Sequence, residues 1–98
     1  MPAYLIYDVE IHDPEPYAEF MKQVKPLVEQ MGGKYLARGG AHEVLEGDWQ
    51  PTRIVLFEFP DMDSARALFT SDAYAPLKQL RHRCSTGHAV IVDSGIES

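Results

Sequence analysis

The apolar residues of this chain change period as the sequence advances, and that alternation limits what it can fold into. From Ala3 to Ile11 (AYLIYDVEI) the residues Leu5, Tyr7, Val9 and Ile11 fall on one face of a strand. From Asp13 the spacing becomes helical, with Tyr17, Phe20, Met21, Val24, Leu27, Val28 and Met31 on a single stripe. Asp13 predicts an N-cap, Pro14 follows where its missing N–H costs nothing, and Gly32 or Gly33 closes the helix. Pro26 inside the stripe predicts a kink.

The period then returns to two. KYLAR (34–38) and RIVLFEF (53–59) predict a second and a third strand, the latter ended by Pro60. Asp61 predicts the cap of a helix with its stripe at Ala65, Leu68 and Phe69. A fresh cap at Ser71 or Asp72 starts another helix through Tyr74, Leu77 and Leu80. HAVIVD (88–93) predicts the fourth strand. The order β-α-β-β-α(α)-β is the split βαβ or ferredoxin-like arrangement, an α+β class with a four-stranded antiparallel sheet. Its 98 residues make one domain.

Several strands are apolar on both faces. Ile54 and Leu56 lie behind Val55, Phe57 and Phe59; Tyr4 and Ile6 lie behind Leu5 and Tyr7; Val90 and Val92 alternate with Ala89 and Ile91. Helices of one chain cover one face of such a sheet. The second face calls for another partner, and a symmetric copy is the commonest one, so a homodimer packed sheet against sheet is expected.

Composition narrows the partners. Fifteen acidic against nine basic side chains give a net charge of -6, which argues against nucleic acid, because phosphate binding needs a basic field. A lone cysteine, Cys84, leaves no pair for an internal disulfide and fits a reducing cytoplasm. MPAYLIYDVEIHD has no basic lead and meets acid at Asp8, so no signal peptide is expected, and no apolar run suggests a membrane span.

The segments DPEPYAEFMKQVKPLVEQMGGKYLARGG, LEGDW, RIVLFEFP, ARALFTSDAYAPL and LRH, in that order and spacing, resemble one family. It is the domain-of-unknown-function 1330 family of the dimeric α+β barrel superfamily, and the resemblance runs from about Tyr4 to Asp93. It implies a ferredoxin-like protomer whose sheet joins a second copy to form a barrel. Wider relatives include cofactor-independent monooxygenases, muconolactone isomerases, chlorite dismutase-like haem proteins and stress-responsive barrel proteins. Chemistries that differ so much cannot be chosen by fold.

Candidate chemistry therefore rests on individual residues. Arg38 ends the second strand and by simple alternation shares a side with Leu36. It either clamps an anionic group with its bidentate fork or snorkels from the strand end and pairs with an acid. Glu58 shares a face with Ile54 and Leu56; it is a general acid or base there, or it pairs with Arg38, Arg53 or Arg81. Tyr17 and Tyr74 lie on helical stripes facing the sheet, where their rings pack and their hydroxyls seek partners. Trp49 is a turn residue that covers a partner subunit or a cavity mouth. Arg81 follows Tyr74 and Leu77 on one stripe and so can reach inward, while Arg83 suits the helix C-terminus. His12, His42, His82 and His88 are scattered without metal-ligand spacing, so no metal is expected. No phosphate-binding glycine motif or haem ligand stands out, and no cofactor is expected.

The stretch LARGGAHEVLEGDWQPTR (36–53) predicts a bend at Gly39-Gly40, a strand continuing through HEVLE as an arm toward the partner, and a turn at GDWQP. The functional expectation is a small dimeric barrel that binds an apolar or anionic metabolite and carries out cofactor-free proton transfer or oxygenation. Arg38 and Glu58 would carry the chemistry, and Tyr17, Tyr74, Arg81 and Trp49 would shape the ligand site. The alternative is a non-catalytic ligand-binding or stress-related dimer in which these groups serve as core and interface pairs.

Overall fold

The computed structural model describes residues 1–96. Its elements are β1 (Ala3–Ile11), α1 (Pro14–Gln30), β2 (Lys34–Arg38), β3 (Ile54–Phe59), α2 (Met62–Thr70), α3 (Ala75–Cys84) and β4 (Ser85–Asp93). The strands form one antiparallel sheet in the order β2-β3-β1-β4, so the β-α-β-β-α-α-β chain has the ferredoxin-like α+β topology. β4 begins three residues earlier than its apolar run, because its ladder to β1 extends to the pair Ile11↔Ser85. Among the described residues no helix is long and apolar enough to cross a membrane.

The helices lie on one face of the sheet, and the molecule is only 17 Å across its thin direction by its Cα atoms. That is one helix layer on one strand layer. The core fills the space between them. Leu5, Val9, Val55, Phe57 and Phe59 contribute from the sheet, and Tyr17, Phe20, Val24, Val28, Leu68, Tyr74 and Leu77 from the helices. Burying each large side chain contributes about 1.5–3 kcal/mol.

The caps follow the sequence with some differences. Asp61 caps α2, its carboxylate accepting the Ser64 amide at 2.7 Å. Asp13 occupies the α1 cap position, but its side chain makes no capping bond, and Pro14 follows at the first helical position. The exit of α1 is a Schellman turn: the Gly32 amide bonds to the Glu29 carbonyl at 3.0 Å and the Gly33 amide to the Val28 carbonyl at 2.9 Å. Gly32 has φ +83°, the left-handed conformation this turn requires. The Ser71 hydroxyl accepts the Tyr74 amide at 3.2 Å, but this holds a tight turn, and α3 itself starts at Ala75.

The expected extension of β2 through HEVLE is not found. β2 ends at Arg38, and residues 41–50 are exposed and without regular structure. Among the described residues no strand pairs with that stretch, and Gly39, at φ +71°, turns the chain after the end of β2.

Candidate functional site

A cleft lies between the inner face of the sheet and helices α1 and α2. Leu5, Val28, Leu68 and Phe57 are among the buried residues of its floor, and the most exposed side chains along it are Arg38, Arg53, Met21, Tyr35 and Phe69. Its cavity volume is about 40 Å³, and it opens to solvent at its mouth. The cleft is therefore a slit between rings and aliphatic groups. Among the described residues no aspartate or glutamate lines it.

A β-bulge places Arg38 there. Tyr35 pairs with Phe57, but Ala37 pairs with Leu56 and Arg38 with Val55, so Leu36 is an extra residue in β2. The extra residue reverses the alternation. Arg38 leaves the side of Leu36, where simple alternation had put it, and joins Tyr35 on the inner face. Its guanidinium lies 5.1 Å from the centre of the Tyr35 ring.

Arg53 reaches the same cleft from the residue just before β3. It continues the inner-face series of Val55 and Phe57, and its carbonyl accepts the Val9 amide at 2.9 Å. The guanidinium sits 5.9 Å from the Tyr17 ring centre, and one of its nitrogens is 3.7 Å from the Met21 sulfur. The side chain crosses directly over Gly39, where a Cβ would lie 2.6 Å from the Arg53 Nε. Gly39 is favoured by its left-handed φ, and a side chain there would also displace the Arg53 guanidinium.

Four tyrosines line the slit. Burial pushes the Tyr17 hydroxyl above its usual range, and the Arg53 charge offsets part of that rise. Burial does the same to Tyr35, opposed by Arg38. Tyr74 is raised further, first by burial and then by the nearby Tyr17 and Tyr35. These phenols stay protonated at neutral pH, which makes them hydrogen-bond donors and poor bases. Tyr7 is 6% exposed, and its buried hydroxyl has no hydrogen-bond partner among the described residues.

Three of the residues expected at a site, Arg38, Tyr17 and Tyr74, line this cleft together. Arg81 stands behind it, 6% exposed, its Nε donating to the Tyr74 hydroxyl at 3.3 Å and its guanidinium 4.9 Å from the Tyr7 ring centre. Burial lowers the Arg81 pKa, yet a guanidinium remains cationic at neutral pH. Glu58 is elsewhere. It alternates with Leu56 and Ile54 on the outer face and pairs with Lys34 across the ladder at 3.4 Å, so no Arg38–Glu58 pair forms. Trp49 is also on the outer side, where its indole N–H donates to Asp8 at 3.2 Å. The same carboxylate accepts the Thr52 amide at 2.9 Å and so ties the 39–53 segment to the back of β1.

Arg53, Tyr7 and Tyr35 also line the cleft and are not among the site residues the sequence singles out. For Arg53 and Tyr7 a signal was available, since each continues the inner-face alternation of its strand. Among the described residues no three of His, Cys, Asp and Glu come together as metal ligands.

The two-layer topology, the bare outer face and the slit define a small ferredoxin-like α+β protein. More particularly, the chain belongs to the DUF1330 family, a domain of unknown function whose model matches residues 2–95. No curated protein matches it. Among solved structures, it is similar to a protein of unknown function from Rhodopseudomonas palustris, at 18% identity and TM-score 0.72, over 93% of this chain and 80% of the other. It is similar to a cofactor-independent oxygenase from Streptomyces nogalater, at 10% identity and TM-score 0.67, over 98% and 95%. A third, described as a dimeric ferredoxin-like protein of unknown function from a Jannaschia species, has 11% identity and TM-score 0.67, over 95% and 99%. At these identities the likeness is one of fold.

Proposed function

We propose that this protein is a homodimeric small-molecule carrier or enzyme that binds an apolar or anionic metabolite in the slit between its sheet and helices. The observation that carries this is the pair of guanidinium groups, Arg38 and Arg53, set along an otherwise apolar, ring-lined cleft that no carboxylate lines. Tyr17 and Tyr74 add protonated hydroxyls to the same wall.

The dimer packs sheet against sheet. Val90 and Val92 are 57% and 45% exposed on the face away from the helices, beside Ile6 and Leu56. A contiguous apolar face of this kind marks an interface. A protein with the same fold is described as dimeric, which supports the assignment.

Binding suits the geometry better than acid–base catalysis, because Glu58 is on the far face and the lining tyrosines are poor bases. Cofactor-free oxygenation is the second function, supported by the fold likeness to a cofactor-independent oxygenase and by two cations able to stabilise a substrate anion. Native mass spectrometry of protein taken directly from expression tests the proposal. The expected species is a dimer carrying a small organic adduct that is lost in Arg38→Ala. A bare monomer, with no thermal shift across a panel of metabolites, would overturn it.

A further inference from the structure

The two cations of the slit have no carboxylate partner among the described residues, although the chain is acidic. Acids outnumber bases fifteen to nine. Yet among the described residues the ion pairs within 4.0 Å are Lys34–Glu58 and Arg66–Asp63, both away from the cleft. Arg38 and Arg53 are each laid against a tyrosine ring, with an N–H donor fork that no carboxylate occupies. The Tyr7 hydroxyl, on the same wall, is desolvated without a protein partner. Buried polar groups are ordinarily paired, so the unpartnered Tyr7 hydroxyl, with the two guanidinium forks beside it, leaves hydrogen-bonding capacity along the cleft that a ligand can take up.

The shape sets the rest. The walls carry several tyrosine and phenylalanine rings about a narrow space of about 40 Å³, so a ligand must part them, and a flat apolar ring parts them least. A guanidinium fork is planar and matches a carboxylate through two parallel hydrogen bonds. The contact from Arg53 to the Met21 sulfur is long and made to a weak acceptor, so an anion displaces it readily.

We propose that the slit takes a small aromatic carboxylate. Its carboxylate is held by Arg38 and Arg53, its ring lies between the tyrosine and phenylalanine side chains, and a ring hydroxyl or carbonyl meets the Tyr7 hydroxyl. This deepens the preceding proposal and rests on the slit being the binding site. Ligand entry moves Arg53 off Met21 and widens the mouth.

Isothermal titration with benzoate, its neutral isostere benzamide, and 4-hydroxybenzoate tests the assignment. Benzoate is expected to bind wild-type protein about tenfold to a hundredfold more tightly than benzamide, the ratio of a charge-assisted to a lost hydrogen-bonded pair. That preference collapses toward equality in Arg38→Met and in Arg53→Met and is partly kept in Arg53→Lys. Circular dichroism checks that each variant is folded, which is expected because Arg38 is exposed and Arg53 only half-buried. The advantage of 4-hydroxybenzoate over benzoate disappears in Tyr7→Phe. Equal binding of benzoate and benzamide, or a benzoate preference that survives both methionine variants, overturns the carboxylate assignment. If binding is then still lost in Leu68→Phe, which fills the slit, the slit itself stands as the site. Absence of binding by all three probes to wild type overturns the aromatic-carboxylate assignment, whereas the slit as a binding site falls only with the metabolite panel.

Discussion

The two faces of the sheet are made by the same strands and differ in almost everything else. On the inner face Leu5, Val9, Val55, Phe57 and Phe59 are sealed under helices, and the polar groups that remain are arginine and tyrosine. On the outer face Ile6, Ile54 and Leu56 are half-exposed, Val90 and Val92 more so, and the polar side chains are a mixture that includes Asp8, Glu58, Lys34 and His88. Alternation distributes apolar residues to both sides of a strand, but the helices of one chain cover one side. The inner face is complete within the protomer except for its slit, and the outer face is incomplete as a whole.

The largest effect should come from breaking the complete face. Phe59 is 1% exposed, and truncation to alanine removes most of a buried ring. Phe59→Ala is expected to cost about 3–5 kcal/mol in urea denaturation. A loss below about 1 kcal/mol would show that the inner face repacks freely, contrary to the structure.

The outer face should respond in a different observable. Val90→Lys places a charge on the proposed interface, opposite Ile6, without disturbing the core. The isolated subunit is expected to change by no more than about 0.5 kcal/mol. The dimer, however, should be lost in sedimentation, and the concentration dependence of Tm that accompanies association should vanish. A Val90→Lys protein that sediments as the wild type would remove this face from the assembly.

Between the faces stands the 39–53 segment, which is tied to the outer side through Asp8 and delivers Arg53 to the inner one. Gly39→Ala strains a left-handed backbone position, at about 1–2 kcal/mol, and pushes on the Arg53 side chain. Because the far end of an arginine moves easily, most of the stability is retained while anion binding falls. Unchanged binding would show that Arg53 does not need this crossing.

How far the sequence carried these distinctions depended on the range of the interaction involved. The order of elements was legible because each period, two or three and a half, is local: the stripe from Tyr17 to Met31 needs no partner to be seen. The start of β4 was not, since Ser85, Thr86 and Gly87 have no apolar alternation and are strand only because β1 pairs with them. The face of Arg38 depends on the bulge at Leu36, which is a property of the β2–β3 pair and cannot be read from KYLAR alone. For Glu58 the sequence leaves open an acid–base role or an arginine partner; strand register puts it on the outer face beside Lys34 instead. Arg53 needed only the inner-face alternation to be carried back two residues from Val55. HEVLE was expected to continue β2, but among the described residues no strand pairs with it, and 41–50 is without regular structure.

The smallest effect belongs to a residue on neither face. Asp61 is fully exposed, and its carboxylate accepts the Ser64 amide at the start of α2, which holds its pKa below the ordinary 3.8. A carboxyl whose pKa is lower folded than unfolded stabilises the fold above the unfolded value and loses that contribution as pH falls through the folded one. Asp61→Ala should therefore lower Tm at neutral pH, and the gap to wild type should narrow as pH drops below 3.8. Because the cap is remote from the outer face, the gap should also be the same at every protein concentration, unlike that of Val90→Lys. A gap that stays constant into acid would mean that the carboxylate charge does not make the cap, and one that varies with concentration would place the start of α2 at the dimer interface.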